Sequence, residues 1–116
     1  ALFAGAAGIV VSSHGGRVLA DAPAPVEVLA EIASAVKGKM TIFVDGAIRT
    51  GADVFKVLAL GADAVLIGRP FVIAAYGGGA SAVEQYAHTL GEDLRHTMML
   101  AGVSSLKAIG RGHLFF

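Results

Sequence analysis

Residues 40–70 read MTIFVDGAIRTGADVFKVLALGADAVLIGRP, and this stretch decides the fold. It opens on an almost continuously apolar run, Met40 to Val44, and passes through a polar turn, Asp45 to Gly51. A helical pattern follows over Ala52 to Leu60, with Val54, Val57, Leu58 and Leu60 on one face and Gly61 placed to stop it. A second apolar run, Ala64 to Gly68, completes a strand–helix–strand unit. Such a unit joins parallel strands by a right-handed crossover.

The flanking sequence extends the same plan. Gly8 to Ser12 is a third apolar run, and Pro25 to Val36 is a helix with Val28, Leu29, Ile32 and Val36 on one face and Pro25 in its first turn. Beyond Gly68, Phe71 to Tyr76 reads as a continuation of the last strand into an apolar loop, and Gly77-Gly78-Gly79 as a flexible connection. Ser81 to Ala101 is then the longest helix, with Tyr86, Leu90 and Leu94 on its apolar face. A second helical hint covers Ser104 to Ile109, before the apolar ending Leu114-Phe115-Phe116. Strands apolar along their whole length predict a parallel sheet covered on both faces. The fold class is therefore α/β.

Composition narrows the function. Of 116 residues, 55% are hydrophobic, 16% are charged, none is cysteine, and nine basic side chains balance nine acidic ones. That balance leaves no electrostatic footprint for nucleic acid or an acidic membrane. Without cysteine there is no disulfide framework and no thiolate metal site. No apolar run reaches the roughly 18 residues of a membrane span. Ala1 to Val11 lack the basic start of a signal peptide, so a cytoplasmic, core-rich piece is expected.

In parallel α/β folds the functional groups collect at the C-terminal ends of the strands. Here those ends lead into Ser12-Ser13-His14-Gly15-Gly16-Arg17, Asp45-Gly46-Ala47-Ile48-Arg49-Thr50-Gly51 and Gly68-Arg69-Pro70. The opposite ends carry plain turns, Lys37-Gly38-Lys39 and Gly61-Ala62-Asp63, so one ligand site on one face is expected. His14 can take a proton near neutral pH, and Arg17, beyond two permissive glycines, can hold a carboxylate in its planar fork. A small organic acid suits the pair; a purely structural histidine is the alternative. Around Asp45 to Arg49 and at Gly68-Arg69, glycine lets the backbone approach an anion that Arg49 and Arg69 neutralise. A phosphate site is expected there, the alternative being a surface salt bridge from Asp45 to an arginine. His88 and His96 lack a third metal ligand and read as solvated or partly packed; His113 reads as a tail residue without a partner.

These same segments, extended through Val44 to Ala62 and Ile67 to Phe71, resemble the FMN-dependent α-hydroxy acid oxidases and dehydrogenases, the family of glycolate and lactate oxidases. The resemblance runs from Ala4 to about Ile109. It implies that His14 is the base that takes a proton from the hydroxy acid, and that Arg17 clamps its carboxylate. It also implies that Ser12 lies near the flavin, and that Asp45, Gly46, Ala47, Ile48, Arg49, Gly68 and Arg69 cradle FMN. The implied reaction is oxidation of a small L-2-hydroxy acid to the 2-keto acid. Three departures from the family pattern stand out: Ser13 for asparagine, Ala47 for the second glycine of Asp-Gly-Gly, and Ala20-Asp21 for Asp-Gly. Ala47 obstructs a phosphate only if that position needs a positive φ.

A closed (β/α)8 TIM barrel takes about 250 residues. The resemblance therefore implies that residues 1–116 are the C-terminal part of a barrel, about the last three βα units plus the C-terminal helix, and not a complete domain. Its partners would be the remainder of the same barrel or further copies of this chain, and alone it is expected to be inactive. Two alternatives stand beside this reading. One is a non-catalytic or self-assembling module that holds FMN or phosphate. The other is a different FMN barrel such as type 2 isopentenyl diphosphate isomerase, which has no use for a carboxylate clamp.

Overall fold

The structure, a computed structural model, describes residues 1–115; Phe116 of the apolar ending lies outside them. Strands β1 (Gly8–Val11), β2 (Thr41–Val44) and β3 (Ala64–Val65) form one parallel sheet in the order β1-β2-β3. Helices α1 (Pro25–Val36) and α2 (Gly51–Ala59) make the crossovers, and α3 (Arg69–Leu100) follows β3.

The register sets Ile9 beside Ile42, Val11 beside Val44, and Val44 beside Val65. These side chains share one face, because alternate residues of a strand point the same way. Leu29 and Ala33 of α1 and Val54 and Val57 of α2 pack against them. Leu29, Ile42 and Val44 are fully buried, each contributing about 1.5–3 kcal/mol by leaving water. The opposite face carries Val10, Thr41 and Phe43, and Val10 is 53% exposed. The expected cover therefore exists on one face of the sheet only, since both right-handed crossovers lay their helices on the same side. The third strand also ends earlier than expected. It pairs only at Ala64 and Val65, although the Leu66 N–H still reaches the Val44 carbonyl at 2.8 Å. As an edge strand it has no outer neighbour to prolong it among the described residues.

The helix ends follow their sequence signals. Thr50 caps α2: its Oγ accepts the Asp53 N–H at 3.1 Å, and the Asp53 carboxylate accepts the N–H groups of Arg49 and Thr50, both at 3.1 Å. Burial pushes the Asp53 carboxyl up, but its hydrogen bonds with Thr50 and Arg49, helped by Lys56, outweigh that and hold it below the usual carboxylate range. At the N-terminal ends of the strands, Lys37 Nζ meets the Asp63 carboxylate at 2.5 Å, and the second Asp63 oxygen accepts the Ile42 N–H at 2.9 Å.

The largest departure from the sequence reading is α3. Phe71 to Tyr76, expected as a loop, are helical, because Pro70 opens a turn in which the Phe71 and Val72 N–H groups reach the Gly68 carbonyl. The helix breaks at Gly78 and Gly79; Gly79, at φ 63 and ψ −151, holds a conformation essentially reserved for glycine. The break is a sharp bend. The Phe71 and Tyr86 rings lie edge to face with centroids 4.9 Å apart, whereas a straight helix would separate their α-carbons by about 22 Å. A short first arm, residues 69–77, thus leads to a longer second arm, residues 80–100, whose Leu90 and Leu94 pack on the core. The hint at Ser104 to Ile109 resolves into a single 3-10 turn, Leu106–Ala108.

Candidate functional site

The C-terminal ends of the strands open onto one cleft of about 520 Å³. His14 and Arg17 border it from the loop after β1, Asp45 to Arg49 from the loop after β2, and Gly68 and Arg69 from the start of α3. Ser12 does not border it but is tied to it through Asp45.

The loop after β1 is a 3-10 turn, His14–Gly16, in which all three residues have positive φ: 53°, 69° and 73°. For histidine this conformation costs roughly 1–2 kcal/mol, and it persists only where its surroundings fix it. The fixing bonds are local. The Ser12 hydroxyl donates to Asp45 Oδ2 at 2.7 Å and accepts the His14 N–H at 3.0 Å, while the Gly16 N–H reaches the Ser13 carbonyl at 3.0 Å. Asp45 is itself held by its N–H on the Val11 carbonyl at 3.2 Å. Its other carboxylate oxygen, Oδ1, is buried with no hydrogen-bond partner among the described residues.

The loop after β2 carries the second element. Ala47 has φ 59°, so the residue at the usual second-glycine position does take the left-handed conformation. The backbone N–H groups of Gly46, Ala47, Ile48, Gly68 and Arg69 donate no hydrogen bond among the described residues. Nor does any carboxylate there lie within ion-pair distance of Arg17, Arg49 or Arg69. The salt bridge from Asp45 to an arginine is therefore absent among the described residues, and Asp45 bonds Ser12 instead. Arg69 reaches across the mouth: a Cβ on Gly15 would sit 4.0 Å from its Nη2. Guanidinium groups and N–H donors without partners among the described residues, gathered around one opening, can take up an anion.

Sequence reasoning missed what braces this cleft. The Tyr86 hydroxyl donates to the Arg49 carbonyl at 2.9 Å, and the Gly51 N–H donates to the Asp93 carboxylate at 2.6 Å. A Cβ on Gly51 would strike the backbone of Asp93 and Leu94, so glycine is what lets α2 and α3 come this close. The apolar wall of Leu66, Ile67, Val72 and Ile73 also escapes the sequence, since Val72 and Ile73 join it only because residues 69–77 are helical. Away from the cleft, His88 and His96 are exposed, with no metal-binding cluster among the described residues. His113, expected without a partner, bonds Gly110 through Nδ1 and meets the Phe55 ring edge-on at 6.1 Å.

The sequence matches the family described as FMN-dependent dehydrogenase over residues 1–115. The chain belongs to that family. The chain is 44% identical to glycolate oxidase 1 of Oryza sativa subsp. indica over 115 residues, which is 99% of the chain and 31% of the relative. It is also 44% identical to the glycolate oxidase of Spinacia oleracea over 110 residues, 95% of the chain and 30% of the relative. A solved structure of mandelate oxidase with benzoyl-formic acid superposes with a TM-score of 0.92 at 49% identity, covering 95% of this chain and 33% of that one. The chain thus spans about a third of the length of the relatives it matches, and its sheet and helices are about a third of a TIM-barrel FMN oxidase.

Proposed function

We propose that this chain supplies the base, the carboxylate clamp and the phosphate-facing wall of an enzyme that oxidises a small L-2-hydroxy acid to its 2-keto acid. The observation that carries the reading is the cleft itself, where, among the described residues, Arg17, Arg49 and Arg69 lack carboxylate partners and five backbone N–H groups stand idle. That donor set suits two anions, a substrate carboxylate and a cofactor phosphate. The residues also fit FMN at an uncharged point, since the orphaned Asp45 Oδ1 requires a donor and the polyhydroxyl chain of FMN carries several. Gly46 to Arg49, Gly68 and Arg69 would hold the phosphate, with Ser12 and Asp45 behind it.

When bound, FMN supplies the two-electron acceptor. Arg17 pairs with the substrate carboxylate through its planar fork and fixes the hydroxyl-bearing carbon. His14 takes a proton from the substrate at an imidazole nitrogen. The Ser12–Asp45 hydrogen bond holds the turn that aims it. Leu66, Ile67, Val72 and Ile73 give the cleft one apolar side. The family members found by comparison, glycolate and mandelate oxidases, carry names that fit such substrates.

The test is His14→Ala in the full-length protein. FMN is expected to stay bound, with its visible absorbance intact. Anaerobic flavin reduction by glycolate, lactate or mandelate is expected to slow by at least about 100-fold. Reduction at the unmodified rate would remove His14 from the mechanism.

A further inference from the structure

We propose that Tyr86 is a positioning residue that ties the two arginine-bearing arms of the cleft together, so that Arg49 and Arg69 meet the same phosphate. The inference rests on the phosphate reading above and assigns a task to a side chain outside the cleft. Its hydroxyl donates to the backbone carbonyl of Arg49 at 2.9 Å. Its ring meets Phe71, two residues after Arg69, with centroids 4.9 Å apart and an interplanar angle of 75°. One side chain therefore touches the backbone of one arginine arm and the first helical turn of the other.

The two arms differ in how firmly they are held. The Arg49 arm has further anchors, with its N–H on Asp53 and the neighbouring Gly51 N–H on Asp93. The first arm of α3 has few. Among the described residues none of its side chains is buried, and it joins the rest of the helix through the glycine break. Glycine permits many backbone conformations, so the Phe71–Tyr86 contact joins the strand end, where the Leu66 N–H reaches the Val44 carbonyl, in restraining the angle at which Arg69 is presented. A preorganised pair of guanidinium groups binds an anion more tightly than a pair that must first be ordered.

Tyr86→Phe removes the hydroxyl and keeps the ring; Tyr86→Leu removes both contacts. The full-length protein, stripped of flavin, is titrated with FMN and with riboflavin, which lacks the phosphate, and its thermal midpoint is recorded. Tyr86→Phe is expected to weaken FMN by about 3- to 10-fold and Tyr86→Leu by about 10- to 100-fold, with riboflavin affinity unchanged in both. An FMN-to-riboflavin ratio equal to that of the unmodified protein in both variants overturns the positioning role and leaves the phosphate reading standing. Equal losses for both flavins with a lowered midpoint mark a merely structural tyrosine and also overturn it. If the unmodified protein binds riboflavin as tightly as FMN, the phosphate reading falls and the proposal with it. Should Tyr86→Leu fail to fold, Tyr86→Phe alone decides.

Discussion

Two residues without glycine's freedom, His14 and Ala47, hold positive φ at the rim of the cleft. The histidine is fixed by the hydrogen bonds that run from Asp45 through Ser12 to its own N–H. Ala47 has no such partner among the described residues, so its conformation is a plain cost of roughly 1–2 kcal/mol. Glycine would remove that cost while adding roughly 0.5–1 kcal/mol of unfolded-chain entropy. Ala47→Gly is therefore expected to raise stability by about 0.5–1 kcal/mol, and Ala47→Val to lower it by more than about 1 kcal/mol, both read as shifts of the urea midpoint. A glycine variant no more stable than the parent would show that the turn costs alanine no more than glycine's added entropy costs the folded state. The same substitution restores the family's Asp-Gly-Gly pattern and widens the approach to the idle N–H groups.

At the scale of elements, the end of the sheet remote from the cleft is held by Lys37 at the end of α1 and Asp63 at the start of β3. The lysine and the Ile42 N–H hold the Asp63 carboxyl below its ordinary value. A carboxyl lowered by folding contributes fully above its unfolded pKa, near 3.8, and its contribution fades as pH falls through the lowered folded value. Both side chains are more than a third exposed, so solvent screening keeps the pair to about 1 kcal/mol or less. Asp63→Asn is expected to cost up to that amount at pH 7 and nothing measurable near pH 2; a pH-independent loss would contradict the linkage. The sequence made α1 legible to the residue and α2 to within one, because each pairs an apolar face with a clear start and stop signal. It misled on Phe71 to Tyr76, where apolar continuity after a strand looks the same whether the chain stays extended or coils. All three candidate loops were legible from strand ends and do border one cleft. Tyr86 and Asp93 were not, because their partners at Arg49 and Gly51 are brought near only by the bend in α3.

At the scale of the molecule, the described residues form one wall. The helices cover one face of the sheet; Val10, Thr41 and Phe43 lie on the other, and β1 and β3 each have a free outer edge. In a closed barrel that second face is packed by inward side chains from the other strands, and the free edges are paired. The described residues line the cleft only from the three strand ends and the first turns of α3, so further residues would have to enclose a flavin ring and a substrate. A general base is efficient only when its substrate is held within hydrogen-bond reach and water is kept out. The 116-residue polypeptide alone, supplied with FMN and glycolate or lactate, is therefore expected to turn over at less than about 1% of the full-length rate, a loss of at least about 2.7 kcal/mol in transition-state stabilisation. Adding the remaining two thirds of the barrel as a separate polypeptide is expected to restore part of that rate, because the exposed apolar face and the unpaired edges favour association. Hydroxy acid oxidation at the full-length rate by a monomer of this chain, confirmed by sedimentation, would show that one wall is enough.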